Sequence, residues 1–543
     1  MSTGALVQDT GAAKGPGLAG DVDEVIAELG RHPSGRTSAS PYETARLVSL
    51  APWLPRHADR IQYLLAGQRP DGGWGGPDGY ALVPTLSAVE GLIAALLRDE
   101  PVGWSTEAVH DAVDRGLRLL FDRAAGPATC PVPDLPAVDL IVPALVDRIA
   151  DQLDDPPTRL AQWRGVGAPP MPAGLDRQRL NRVRLLVGSG RPIPPKLLHA
   201  LEILGPAARR AEGVTATAAG PVGASPAATA AWLGNPDGTQ SAPLDYLIRV
   251  LGEHDGAVPC ATPITVFERG WALSTLARAG VLPAVPPELA AALREALGPD
   301  GAATGPGLPT DADTTAVTLY TLALLGHATD PTCLSRFDTG EHFGTWQGED
   351  GSSVTTNAHV LEAFGRCLGG DDPAAAPVLR RLTGWLLDRQ QLDGRWSDRW
   401  HASPYYATYC VVLALREYGG PSAHPAVQRA VTWVLDSQRA DGSWGRWRGT
   451  PEETAYGLLV LLAAPPSPTI QAAGVAAAHR LSTMQDEATD TPLWHDKDLY
   501  HPAVIVRAAV AAARASAAAR LSGSAHIPDS RWSAPLEGNS GHC

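Results

Sequence analysis

Two aspartates separated by one residue, Asp311 and Asp313, are the side chains of this sequence best placed for acid–base chemistry. They follow a loop rich in glycine and proline (301–309) and begin an apolar stretch with helical periodicity. Carboxylates at a helix start commonly cap free N–H groups and favour the helix dipole. A buried carboxyl beside a second one can instead stay neutral and donate a proton. The composition of the segment leaves both interpretations open.

Burial decides between these two interpretations. Desolvation raises a carboxyl pKa by up to about 3–5 units, whereas the helix dipole contributes about 0.3–1 kcal/mol. Burial in an apolar chamber therefore outweighs the dipole. Side chains two positions apart do not share a helix face. We expect Asp311 and Asp313 to interact only if Asp311 lies in the cap and Asp313 in the helix.

The elements that must position these residues are helices. Apolar residues recur at helical spacing in 81–97, 316–325 and 407–415, and glycine, proline or charged turns bound each stretch. Alternating β-branched stretches are almost absent from the sequence. The predicted fold class is all-α.

A short pattern of glutamine, Asp-Gly and tryptophan occurs three times, each time between two helical stretches. The copies are QRPDGGW (68–74), QQLDGRW (390–396) and QRADGSW (438–444). The Asp-Gly pair supplies a tight turn, and the Gln amide and Trp ring can clamp neighbouring helix ends. Repetition of such a unit indicates stacked helical hairpins. We interpret the copies as structural.

Composition limits the function classes. With 543 residues, the chain is too long for one ordinary core, and its net charge of −14 argues against broad nucleic-acid binding. The six cysteines form no CxxC pair, which is typical of a reduced, cytoplasmic protein. The N-terminus lacks the apolar core of a signal peptide, and no apolar run reaches the length of a transmembrane segment.

The repeats resemble the QW motifs of the squalene-hopene and class II diterpene cyclases, and DADTT (311–315) resembles the DxDTT variant of their DxDD motif. Further similar segments follow in family order over roughly residues 38–510. They are SPYETA (40–45), KLLHALE (196–202), SPAATA (225–230), FERGW (267–271), NAH (357–359), WHASPYY (400–406) and LWHDKDLY (493–500). Each segment is weak evidence alone, but the ordered set is specific.

The resemblance implies two α/α-barrel domains, called β and γ in this family. In this sequence the β domain would comprise 21–45 plus 266–543 and carry the general acid. The γ domain would comprise 46–265, inserted between these two pieces. Residues 1–20 are rich in small residues and are expected to form a flexible N-terminus.

The resemblance also assigns roles to the acid motif. Asp313 would donate the proton that starts cyclisation, and Asp311 would support it. Thr314 replaces the last aspartate of the family motif, which removes one charge but keeps a hydrogen-bonding group. His359 stands where related cyclases hydrogen-bond the acid, and a protonated His there would favour the aspartate product.

Substrate-binding residues are expected from the same comparison. Aromatic rings stabilise a carbocation within about 6 Å of their faces, and the candidates are Trp271, Trp346, Trp400, Tyr405 and Tyr406. The diphosphate needs cations, and the candidates are Arg182, Arg184 and Lys497. Mg²⁺ would join diphosphate oxygens to one or two carboxylates, for which Asp134 is the candidate and Asp139 the other acid of a degenerate motif.

The sequence does not identify the base that ends the reaction. His199 resembles the His of a His–Asn pair that holds a water base in some plant members. Cys260 stands where the Asn is expected. A pair lacking its Asn need not deprotonate the final cation in the same way.

The expected activity is protonation-initiated cyclisation of a linear prenyl diphosphate, with the diphosphate retained. Farnesyl diphosphate giving drimenyl diphosphate is the favoured version. Geranylgeranyl diphosphate giving a labdane- or halimane-type product, copalyl or halimadienyl diphosphate, is the alternative. A non-catalytic isoprenoid-binding α/α barrel is a second alternative. The sequence leaves a homodimer open.

Overall fold

The computed structural model describes residues 18–98, 103–125, 131–235, 240–370, 372–484 and 490–521. Helices dominate these residues, which confirms the all-α prediction. The helices of the N-terminal half are α1 (Leu18–Arg31), α2 (Pro41–Leu50), α3 (His57–Ala66), α4 (Leu82–Leu97), α5 (Thr106–Ala125), α6 (Val138–Asp154), α7 (Gln178–Gly188), α8 (Pro195–Leu198), α9 (Pro226–Leu233) and α10 (Ala242–Glu253).

The described residues of the C-terminal half form ten further helices and one short hairpin. They are α11 (Thr265–Arg278), α12 (Pro287–Ala296), α13 (Ala312–Leu324), α14 (Val354–Cys367), α15 (Ala375–Asp388), α16 (Pro404–Tyr418), α17 (His424–Asp436), α18 (Pro451–Ala463), α19 (Pro468–Thr483), β1 (Trp494–His495), β2 (Leu499–Tyr500) and α20 (Ala503–Leu521). The 3₁₀ helices are Asp78–Ala81, Thr158–Trp163, Leu201–Ala208, Pro331–Phe337 and Pro421–Ala423.

Each half of the chain closes into a ring of helices. In the first barrel, α2, α4, α6, the 3₁₀ helix Leu201–Ala208 and α9 contact one another in that order, and α9 returns to α2. In the second barrel the inner ring is α11, α13, α14, α16, α18 and α20, and α20 returns to α11. Outer helices such as α5, α15, α17 and α19 pack behind members of these rings. The two predicted α/α barrels are therefore present.

The N-terminal helix α1 belongs to the second barrel. Its Val22, Val25 and Leu29 share an apolar core with residues of α11, α12 and α20. The structure corrects the proposed boundary at residue 45, because Tyr42 and Ala45 of α2 pack into the core of the first barrel. The division therefore lies before α2. Most of the expected flexible segment 1–20 lies outside the described residues.

Helix α4 is a member of the inner ring of the first barrel, where it contacts α2, α5 and α6. Within the described ranges, the segment Asp78–Leu97 alone has the length and hydropathy of a membrane-spanning helix, and 83 % of it is buried within the protein. Its apolar side chains therefore serve the barrel core.

The three repeats make the same hydrogen bonds. Each Gln amide donates to the glycine carbonyl of its own turn and to a carbonyl of the next outer helix, and each buried Trp indole donates to the preceding helix end. The bonds join Gln68 to Gly72 and Ala112, Gln390 to Gly394 and Ala426, Gln438 to Gly442 and Ala473, Trp74 to Leu64, Trp396 to Leu386, and Trp444 to Val434. The turn glycines have φ between +84° and +99°, which glycine adopts without strain.

Candidate active site

The acid motif lies at the start of α13 in the second barrel. Asp311 is the N-cap residue, and its carboxylate accepts a hydrogen bond of 2.6 Å from the Thr314 N–H. Asp313 follows in the first helical turn. As expected from the spacing, the first aspartate occupies the cap and the second the helix. Asp311 therefore caps the helix, and both carboxyls also line a cavity between the two barrels.

Burial shapes the protonation of this pair. The Asp311 side chain is buried, and desolvation, helped by the charge of Asp313, raises its pKa to about 7 against the opposing hydrogen bonds from Thr314. Thr314 is buried as well, and its hydroxyl contacts the Thr304 hydroxyl at 3.2 Å. The helix start therefore does not keep Asp311 fully ionised at neutral pH.

His359 of α14 contacts the acid directly. Its Nδ1 donates to Asp313 Oδ1 at 2.7 Å, and the Asp313 side chain retains only 15 % exposure. Burial opposes the charged imidazole, but the Asp313 carboxylate raises the pKa of His359 well above its usual value. The Trp271 ring lies edge-on to the imidazole, with centroids 5.4 Å apart. The arrangement stabilises the anion that Asp313 would become after proton transfer.

A cavity of about 470 Å³ lies between the two barrels in front of this acid. The first barrel contributes residues 134–140 around the start of α6, together with Arg179, Lys196 and His199. The second barrel contributes the acid motif and most of the aromatic side chains. Pockets of about 300–1,000 Å³ are typical of sites that bury a small organic ligand.

Four of the five aromatic candidates line this cavity: Trp271, Trp346, Trp400 and Tyr406. Trp271 donates its indole N–H to the Tyr406 hydroxyl at 2.7 Å, and Trp346 and Trp400 pack edge to face with centroids 5.2 Å apart. Tyr405 is a correction. It points away and packs against Trp433, because consecutive residues of a helix face different directions.

Three further aromatic residues of the cavity wall are not among the sequence-based candidates, and they are Phe267, Trp494 and Tyr500. Phe267 packs against Trp271 with ring centroids 4.5 Å apart, one helical turn before it. That i, i+4 relationship to a candidate was a usable signal. The ring centroids of Trp494 and Tyr406 lie 4.7 Å apart, and no local sequence pattern indicates this contact.

Two of the predicted diphosphate-binding residues lie outside the cavity wall. Arg182 and Arg184 are exposed side chains of α7 outside the cavity wall, and Arg184 lies 3.9 Å from Asp147. The arginine of α7 that does line the cavity is Arg179 in the first turn of the helix, and Arg182 and Arg184 lie further along it. Lys196 and Arg399 line the same wall.

Lys497 is also a correction, because its ammonium is completely buried between the barrels. It lies 2.7 Å from Glu43 Oε2 and 3.2 Å from Glu202 Oε1. It also donates to the Ser225 hydroxyl at 3.0 Å and to the His199 carbonyl at 2.9 Å. A lysine so enclosed ties the C-terminal segment to the first barrel and does not reach the cavity.

The metal candidate Asp134 lies on the cavity wall with its side chain 63 % exposed. It pairs with Arg399 at 2.9 Å, and Asp139 pairs with Arg179 at 2.8 Å. No group of three or more His, Cys, Asp or Glu side chains within the described residues suits a metal ion. A Mg²⁺ that takes diphosphate oxygens needs only one or two carboxylates. Asp134 and Asp139 fit that smaller requirement.

The two residues of the predicted base region do not contact each other through a hydrogen bond. His199 lines the cavity, and its Nε2 lies 2.8 Å from Asp496 Oδ1. Cys260 is buried and donates its thiol to Asp498 Oδ1 at 2.8 Å. Burial raises the pKa of Cys260 well above its usual value. Cys260 therefore is not a partner of His199 in holding a base.

Known proteins share this sequence and fold. Residues 348–483 match the family described as the squalene-hopene cyclase C-terminal domain. The chain is 42 % identical to ent-copalyl diphosphate synthase of Streptomyces sp. (strain KO-3988) over 88 % of its own length and 91 % of that protein. It is 41 % identical to labda-7,13-dienyl diphosphate synthase of Streptomyces clavuligerus, over 88 % of each chain.

A solved structure agrees with these matches. The ent-copalyl diphosphate synthase from Streptomyces platensis superposes with a TM-score of 0.88 at 41 % identity, over 92 % of this chain and 99 % of that one. Sequence and fold similarity thus extend over both barrels, and the acid motif, the histidine and the aromatic cavity lie where they meet. The chain belongs to the class II terpene cyclases.

Proposed function

We propose that this enzyme cyclises geranylgeranyl diphosphate to a bicyclic, labdane-type diphosphate such as copalyl or labdadienyl diphosphate. The similar proteins named above support this chain length, since their names specify such products. The sequence alone favours farnesyl diphosphate and drimenyl diphosphate, but none of these names supports that version. The observation that carries the proposal is the contact of Asp313 with His359 in the wall of an aromatic cavity.

Asp313 starts the reaction by protonating the terminal alkene of the coiled substrate. The His359 imidazole, 2.7 Å away, stabilises the carboxylate that remains. Two internal alkenes then attack in turn: the π electron pair of each forms the C–C bond that closes one ring, and the positive charge moves one ring further from the acid. Trp271, Trp346 and Tyr406 offer ring faces to this charge and exclude water from it.

The diphosphate would lie at the exposed mouth of the cavity, between the two barrels. Arg179 and Lys196 of the first barrel and Arg399 of the second place positive charge there. A Mg²⁺ held by Asp134 and Asp139 would add further charge neutralisation for the diphosphate oxygens. Because the diphosphate is bound far from the protonated alkene, its C–O bond stays intact.

Incubation with each substrate tests the proposal. The purified protein is given geranylgeranyl or farnesyl diphosphate, and the products are treated with phosphatase and identified by mass spectrometry. We expect a bicyclic C20 alcohol from geranylgeranyl diphosphate and slower conversion of farnesyl diphosphate. Preferential conversion of farnesyl diphosphate would contradict the chain length, and binding without conversion would favour the isoprenoid-binding alternative.

Asp313→Asn is the matched control, because it preserves the shape and removes the donated proton. The loss of one general acid is expected to lower turnover by about 10²–10⁴-fold. Retained turnover in a folded variant would refute Asp313 as the proton donor. A cytoplasmic location and a homodimer remain predictions.

A further inference from the structure

A short hairpin holds an acidic turn against the cavity. Strands β1 and β2 pair antiparallel, with Trp494 opposite Tyr500, and the Asp496 N–H donates to the Asp498 carbonyl at 3.0 Å. Trp494 and Tyr500 both line the cavity, and Asp496 lines it beside them. The hairpin therefore holds one carboxylate among the aromatic side chains.

The two oxygens of the Asp496 carboxylate have different surroundings. Oδ1 lies 2.8 Å from His199 Nε2 and accepts a hydrogen bond of 2.7 Å from the Lys497 N–H. Oδ2 accepts no hydrogen bond from any residue in the described ranges. The side chain is 12 % exposed, so it is shielded but not sealed off. Asp496 lines the cavity, and its Oδ2 is an acceptor without a hydrogen-bond donor among the described residues.

His199 fixes the charge of this carboxylate. Its Nδ1 lies 2.7 Å from the Gly223 carbonyl, which can only accept, so both ring nitrogens serve as donors. Burial opposes the charged ring, but Asp496 raises the pKa of His199. His199 in turn lowers the pKa of Asp496, against the effect of burial. A protonated His199 cannot itself accept a further proton.

Other acceptors of the described cavity wall are less suitable. Apart from Asp311 and Asp313, the other acidic side chains of the wall lie within 4.0 Å of Arg179 or Arg399 at the cavity mouth. They are Asp134, Asp139, Glu349 and Asp350. His495 is hydrogen-bonded through both ring nitrogens, and burial lowers its pKa to about 3. Asp496 is therefore the carboxylate of the described cavity wall that is both shielded from solvent and able to accept a proton on Oδ2.

We propose that Asp496 removes the proton that ends the cyclisation and that His199 is its positioning residue. This inference rests on the proposed function. A C–H bond next to the final tertiary cation breaks, its electron pair forms the C=C bond, and the proton passes to Oδ2 of Asp496. The neutral carboxyl then returns the proton to water. Together with the proton given by Asp313, the transfers balance, and the net reaction is an isomerisation.

Asp496→Asn tests the assignment, because it keeps the shape and removes the acceptor. Geranylgeranyl diphosphate is still protonated by Asp313, but formation of the wild-type product is expected to fall by about 10²-fold or more. Hydroxylated or isomeric diphosphates then appear, as the cation is captured by water or loses another proton. Asp496→Glu restores a carboxylate and should return part of the wild-type product. Unchanged product and rate in the Asn variant would overturn the assignment.

Two further variants keep the test decisive. Asp498→Asn alters the other acid of the turn, which bonds Ser40 and Cys260 outside the cavity, and should leave product identity unchanged. If Asp496→Asn does not fold, as judged by thermal unfolding, His199→Gln replaces it, and an unaltered product composition then overturns the proposal. A wild type that makes no bicyclic C20 product refutes the proposed function, whereas an active wild type with an unaffected Asp496→Asn refutes only the base.

Discussion

His359 and Asp313 lie 46 residues apart in the chain, yet their side chains meet at 2.7 Å on adjacent helices of the second barrel. The hydrogen bond orients the acid toward the cavity and supports its anion. A residue that acts in this way is expected to affect the rate of protonation more than substrate binding.

His359→Gln keeps a hydrogen-bond donor but removes the positive charge. We expect kcat to fall by about 10- to 100-fold with little change in KM, because the anionic product of Asp313 loses its charged partner. Steady-state kinetics with geranylgeranyl diphosphate measure both constants. His479→Gln, an exposed histidine of α19, is the matched control and should retain wild-type kinetics. A large rise in KM alone would contradict the positioning role.

The activity should decline as the pH rises above about 7. Burial, together with the charge of Asp313, raises the pKa of Asp311 to about 7, so Asp311 loses its proton in that range and places a negative charge beside Asp313. A single-turnover rate measured from about pH 5 to pH 9 would show the falling limb. Asp311→Asn should remove that limb, since the carboxyl that titrates near pH 7 is gone. A wild-type rate that is constant across this range would contradict the role given to Asp311.

Asp311 should also make the stability depend on pH. Its pKa is raised from 3.8 to about 7 in the folded protein, so the folded state binds more protons than the unfolded state between these values. The contribution of Asp311 to the stability of the wild type therefore falls as the pH rises from about 4 to 7. Asp311→Asn should lose this dependence, so its Tm relative to wild type rises with pH. Asp330→Asn, an exposed capping aspartate, is the control and should follow the wild type.

Lys497 is expected to contribute to stability and not to diphosphate binding. Lys497→Met leaves Glu43 and Glu202 buried without their cation, which costs about 3–5 kcal/mol. Denaturant unfolding measures this loss. Lys196→Met at the cavity wall is the contrasting variant, expected to raise KM while changing stability by no more than about 0.5 kcal/mol. Equal stability of the two variants would contradict the assignment.

A substitution in a repeat should lower the stability of the protein without changing the product of the reaction. Trp444→Phe removes the indole N–H that donates to the Val434 carbonyl in a buried position, so a loss of about 1–3 kcal/mol is expected. Product identity should not change, because Trp444 does not line the cavity. Unfolding and product analysis of the same preparation test both statements. A changed product would contradict the structural interpretation.

The sequence by itself determined the local parts of this protein. The Gln, Asp-Gly and Trp pattern requires a turn glycine and buried indole donors within ten residues, and those interactions form wherever the pattern occurs. The spacing of Asp311 and Asp313 likewise required a cap and a first-turn position. Helical periodicity was sufficient for the fold class, because it depends only on neighbours along the chain.

Only the tertiary structure decided which side chains meet in the cavity. Arg179 lines it whereas Arg182, one turn later on the same helix, does not, and Tyr406 lines it whereas the adjacent Tyr405 does not, because the position and the rotation of a helix depend on its neighbours. Lys497 has the residue type of a diphosphate ligand, but two buried carboxylates more than 290 positions earlier enclose it. Contacts of this range are set by the packing of the two barrels, and no spacing within one segment encodes them.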